Sequence, residues 1–113
     1  MTNIRIAKEV AENEVRYEIA VVGHVGYAEI GKDIVCSAIS ILVQTLENVL
    51  TNGKYRLKNK MDMGPGIVMG AFSWLKDSED AERIEAVLDT IESGLQMIAE
   101  EYPEYVIYDK IKS

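Results

Sequence analysis

Apolar and polar side chains alternate most sharply between Val15 and Val21, where Val15, Tyr17, Ile19 and Val21 interleave with Arg16, Glu18 and Ala20. A period of two predicts a strand with one buried face. Ile4 and Ile6 predict a shorter strand before it, with Asn13 in the intervening turn. Gly23, Gly26 and Gly31 then punctuate a loop. From Asp33 to Leu50 the period changes. Val35, Ala38, Ile39, Leu42, Leu46, Val49 and Leu50 recur at three- and four-residue steps, which predicts a helix stopped by Asn52-Gly53. Ile34, Ile41 and Val43 widen its apolar surface, as in a helix that is central to the core or partly covered by another subunit; the simpler expectation is a central helix.

Lys54, Arg56, Lys58 and Lys60 alternate with Tyr55, Leu57, Asn59 and Met61, as in an exposed strand with one basic, solvated face. Gly64-Pro65-Gly66 reads as a turn into a more buried strand from Ile67 to Leu75. Ser78 is placed to cap a second helix whose first turn carries Glu79, Asp80 and Glu82. Ile84, Val87, Leu88, Ile91, Leu95, Ile98 and Tyr102 form its stripe, Pro103 ends it, and Tyr105 to Ile111 alternates like a closing strand. The order β-β-α-β-β-α-β, with short turns between neighbouring strands, predicts an α+β fold. Its expected form is a two-layer sandwich: a mainly antiparallel sheet with two helices on one face.

The length of 113 residues fits one domain over residues 1–113, large enough to stand without disulfides or a structural metal. The single cysteine, Cys36, excludes an intrachain disulfide framework, and with one histidine, His24, there are too few soft ligands for a Cys/His zinc site. No metal or other cofactor is expected. Twelve Lys and Arg against nineteen Asp and Glu leave a net charge of −7, which disfavours nucleic-acid binding and suits a basic protein partner. No continuous apolar run approaches a membrane span, and MTNIRIAKEV carries no apolar signal region, so a cytoplasmic protein with a reduced thiol is expected.

Chemistry concentrates in the segment GHVGYAEIGKDIVCSAIS, residues 23–40. His24 leaves the end of the second strand, and Cys36 falls in the first turn of the first helix if Asp33 is its N-cap. The unpaired N–H groups and positive dipole of a helix start favour thiolate over thiol, and an imidazolium alongside would favour it further. Ser40 lies one helical turn beyond Cys36, on the side shared with Ser37, Gln44, Glu47 and Asn48, so the thiol is expected to look away from the core. Residue types and spacing permit a Cys-His pair without establishing one. A lone cysteine is as readily a small buried hydrophobe, Asp33 a simple helix cap, Ser40 a donor to a helix carbonyl, and the glycines devices of backbone geometry.

The same eighteen residues resemble the signature of the Prp (YsxB-like) family of ribosomal-processing cysteine proteases, a Gly-His-Ala-Gly-Tyr-Ala segment followed by Asp-Ile-Val-Cys-Ala. Val25 and Ser37 stand where the family usually has Ala. The resemblance implies that Cys36 is the nucleophile and His24 the general base, with Asp33 and Ser40 in supporting positions. It implies a segment marked by Gly23, Gly26 and Gly31 that closes over a peptide. It also implies a homodimer, and a substrate: the N-terminal extension of bacterial large-subunit ribosomal protein twenty-seven, a basic client. A non-catalytic peptide-binding or ribosome-assembly module using the same groove is the alternative function, and a redox-sensing thiol protein a third.

Overall fold

Nine-residue β1 (Thr2–Val10) and ten-residue β2 (Glu14–Gly23) form the hairpin that the alternation predicts, in antiparallel register from Thr2↔Gly23 to Val10↔Val15. The computed structural model describes residues 1–23, 30–51, 62–64 and 67–112. The connection between the strands is closed by the Ala11 N–H donating to the Glu14 carbonyl, and Lys76 N–H donates to Asn13 O, tying this turn to the end of a third element. Val15, Tyr17 and Ile19 are buried while Arg16 and Glu18 are exposed, as a period of two requires.

After β2 come α1 (Ile30–Thr51), the short β3 (Asp62–Gly64), β4 (Ile67–Leu75), α2 (Ala81–Glu101) and β5 (Val106–Lys112). The expected strand over residues 54–61 lies outside the described residues. β3 pairs antiparallel with β4, Gly64 opposite Ile67, while Pro65 and Gly66 of the predicted turn lie outside the described residues. The sheet order is β3-β4-β2-β1-β5, with β2 in the middle. Every pairing is antiparallel except β1 with β5, which is parallel because α2 carries the chain back before β5 is laid down. The α+β fold with both helices against one sheet face is therefore as the sequence predicts, with one parallel edge added.

The two layers share one apolar cluster. Ile4, Ile6, Val15, Tyr17, Ile19, Phe72 and Trp74 come from the sheet; Val35, Ile39, Val43, Leu46 and Leu50 from α1; Ile84, Leu88, Ile91 and Leu95 from α2. Two expectations about the helices need correction. Ser78 does not cap α2; Asp80 is the N-cap residue and makes no side-chain cap bond. Lys76 to Ser78 are used in a turn instead, with Ser78 N–H donating to Leu75 O and Ala81 N–H to Ser78 O. Nor is α1 central: Val43 is in the core, but Ile34 is 58% and Ile41 60% exposed on the outer side. The stretch Ile34–Thr51, 18 residues of mean hydropathy 1.6, is long and apolar enough on average to cross a membrane, although polar residues such as Ser37, Ser40, Gln44 and Glu47 interrupt it, as expected of a chain with no continuous apolar run of that length. Its five core residues pack with the sheet and α2, so it is a helix of the two-layer fold.

Candidate active site

The end of β2 and the starts of β1, β4 and β5 meet along one rim of the sheet, since Thr2 pairs with both Gly23 and Val106 and Val22 with Ile67. His24 follows the last residue of β2 by one position, as expected, and itself lies outside the described residues. Cys36 lies on α1, which packs against the buried face of this sheet.

The helix begins at Ile30, three residues before the expected cap, so Cys36 is its seventh residue and sits in the second turn. Asp33 is then inside the helix and not at its cap, and Gly31 is its second residue and not a loop position; the Asp33 side chain lies outside the described residues. In the second turn a backbone N–H has an acceptor four residues back, and the dipole's influence is concentrated in the first turn. The helix start therefore lends Cys36 less help toward thiolate than the sequence suggested. The Cys36 N–H is likewise used inside the helix.

Cys36 is 6% exposed, against the expectation of an outward-facing thiol. The reason is phase. At about 100° per residue, Val43 lies about 20° and Leu50 about 40° to one side of Cys36, and Glu47 about 20° and Ser40 about 40° to the other. The thiol thus stands on the margin between the core stripe and a polar flank. Cys36 is accordingly buried yet outside the cluster joined by Val35, Ile39 and Val43. Ser40 is half-buried on the same flank, while Ser37 and Gln44, further round, are exposed. Cys36 and Ser40 do share a side, as predicted. Gly23 closes β2, and Gly26 lies outside the described residues.

Two features escaped sequence reading. Glu92 is buried on α2, where its carboxylate accepts from the Tyr17 hydroxyl at 2.9 Å and from Lys110 of β5. Its signal was position: Glu92 is four residues after Leu88 and three before Leu95, inside the apolar stripe. Burial first, then the Glu92 charge, holds the Tyr17 phenol far above its ordinary range, and the same two causes push Tyr108 up to about 12. A second ion pair, Lys8 with Glu85, also joins the sheet to α2. The other feature is an open depression of about 400 Å³ on the uncovered sheet face, floored by Ala7, Ala20, Gly70 and Ala71 and flanked by Arg5 and Met69. It lies across the sheet from the layer that carries Cys36.

Several solved structures share the fold. The crystal structure of SMU.848 from Streptococcus mutans superposes with a TM-score of 0.77 at 23% identity, covering 100% of this chain and 96% of that one. The essential ribosomal processing protease Prp from S. aureus, in complex with a substrate peptide, gives 0.69 at 22% identity, covering 97% and 99%. The same S. aureus protease with a covalently linked product peptide gives 0.67 at 24%, covering 95% and 98%. No curated protein matches the sequence. The family described as cysteine protease Prp matches residues 1–107, nearly the whole chain, and this protein belongs to that family.

Proposed function

We propose that the protein is a cytoplasmic cysteine endopeptidase that removes the N-terminal extension of large-subunit ribosomal protein twenty-seven through a dyad of Cys36 and His24. The observation that carries this reading is family membership over residues 1–107 in a chain that has one cysteine and one histidine. A thiol protease built from this sequence has no other dyad to use. The S. aureus relative solved with a substrate peptide and with a covalently linked product peptide supports both the ribosomal client and a covalent route.

In that route His24 takes the Cys36 proton and the thiolate attacks the scissile carbonyl carbon, forming a C–S bond and a tetrahedral oxyanion. Collapse breaks the C–N bond while His24 returns the proton to the leaving amine, leaving a thioester. Water, deprotonated by the same imidazole, then hydrolyses the thioester and restores the thiol. With Cys36 beyond the first helical turn, thiolate formation rests on His24 more than on the helix end. Asp33 and Ser40 support the dyad from the same helix. The net charge of −7 favours encounter with a basic ribosomal protein. The exposed Ile34 and Ile41 of α1 offer an apolar face for a second copy, consistent with a homodimer.

The test is the alkylation rate of Cys36 by iodoacetamide against pH, run beside cleavage of a peptide spanning the extension junction. The expected result is His24-dependent thiol reactivity near neutral pH together with turnover. Peptide binding without turnover or enhanced alkylation would instead mark a non-catalytic binding module, and a reactive thiol without peptide cleavage a redox sensor.

A further inference from the structure

Gly23 is the last residue of β2 and directly precedes His24. A β-carbon built on it would lie 2.7 Å from the Thr2 Cα, 2.9 Å from the Met1 carbonyl oxygen and 2.9 Å from Thr2 Oγ1. Two of these three neighbours are backbone, so no rotamer change relieves the overlap. Thr2 cannot step back either. It is buried, pairs with Val106 of β5 on its other side, and donates its N–H to the Tyr105 carbonyl at 2.7 Å. Tyr105 is held in turn by its own N–H donating to Tyr102 O, and Tyr102 N–H donates to Ile98 O at the end of α2. The wall facing Gly23 is therefore braced through β5 to α2. Any side chain at position 23 must displace the end of β2, and the displaced end is the one that leads into His24.

We infer that Gly23 and Thr2 form a clamp that sets the direction in which the chain leaves β2, which makes Gly23 a positioning residue for His24. This rests on the proposed role of His24, and it revises the reading of Gly23 as part of a mobile segment. The glycine is used here for close approach, with no positive φ involved. An ångström of misplacement at a reacting group costs on the order of a hundredfold in rate, so a shifted strand end is felt in kcat while substrate contacts elsewhere hold KM.

The experiment compares wild type, Gly23→Ala, Thr2→Gly and His24→Ala in cleavage of the extension-junction peptide, in iodoacetamide alkylation of Cys36 against pH, and in thermal unfolding. Gly23→Ala is expected to stay folded, lose at least tenfold in kcat with KM within about threefold, and shift its alkylation profile toward that of His24→Ala. Thr2→Gly removes Oγ1, the one side-chain member of the contact, and loosens the backbone that supplies the other two, so it is expected to show a smaller change of the same kind. It carries the test if Gly23→Ala does not fold. Folded variants with wild-type kcat and alkylation profile would overturn the clamp, as would a kcat loss with an unchanged profile. Undiminished cleavage by His24→Ala would instead overturn the dyad itself, whatever Gly23→Ala does.

Discussion

The Tyr17 hydroxyl, in the middle strand of the sheet, donates to the Glu92 carboxylate of α2 at 2.9 Å, and Lys110 of β5 reaches the other oxygen of the same carboxylate. One buried acid thus ties α2 to both the centre and the edge of the sheet. Replacing Glu92 by Ala strands a buried phenol and leaves Lys110 to water. A loss of about 2 kcal/mol is expected, chiefly from the unsatisfied Tyr17 hydroxyl, with Lys110 contributing less because it is partly exposed. Urea denaturation of Glu92→Ala and Glu92→Gln checks this, with Gln retaining much of the stability because its amide still accepts from Tyr17.

The same site makes folding sensitive to alkali. Tyr17 and Tyr108 hold their protons more tightly in the folded protein than at the ordinary value of 10.0. A group whose folded-state pKa is raised stabilises the fold fully below its unfolded pKa and loses that contribution as pH climbs toward the folded value. Stability is therefore expected to fall from pH 10 through about 12. In thermal melts at pH 8, 10 and 11, the decline should be shallower in Tyr17→Phe than in wild type, and equal slopes would remove Tyr17 from the account.

Where α1 and α2 touch, Gly94 faces Leu42, and a β-carbon on Gly94 would sit 3.1 Å from Leu42 Cδ1 and 3.4 Å from Cδ2. The overlap is with the far end of a half-buried side chain, which can give by a few tenths of an ångström. Glycine inside a helix costs about 1 kcal/mol relative to alanine. The helical gain outweighs the adjustment, so Gly94→Ala is expected to raise stability by about 0.5 kcal/mol, read as a higher urea midpoint. Gly94→Leu, which must push the helices apart, is expected to lower it.

The outer face of α1 supplies another test. Ile34 and Ile41 are exposed two turns apart. If a second copy covers them, Ile34→Glu/Ile41→Glu converts a dimer to a monomer in sedimentation velocity without lowering the thermal midpoint of the monomer. An unchanged dimer would place the interface elsewhere.

The strands and helical stripes were legible because burial imposes its period on the chain: Val15, Tyr17 and Ile19 for β2, and Ile84, Leu88, Ile91 and Leu95 for α2, are read directly from spacing. What misled was local. Ile30, Gly31 and Lys32 carry no apolar period, and a glycine there reads as loop, so the pattern places the helix start at Asp33 and not at Ile30. The neighbours Ser37 and Gln44 place Cys36 with the polar side, although its phase relative to Val43 and Leu50 puts it on the core margin. The parallel pairing of β5 with β1 depends on where α2 returns the chain, which no window of sequence records. No sequence period marks Thr2, because its burial arises only when β2 and β5 close on either side of it.

Cleavage of the extension-junction peptide by wild type, Cys36→Ala and His24→Ala, with folding checked by circular dichroism, tests the central claim most directly. Turnover by wild type and its loss in both folded variants is the predicted result. Cleavage retained by folded Cys36→Ala would contradict it, since the chain holds no second thiol to take over.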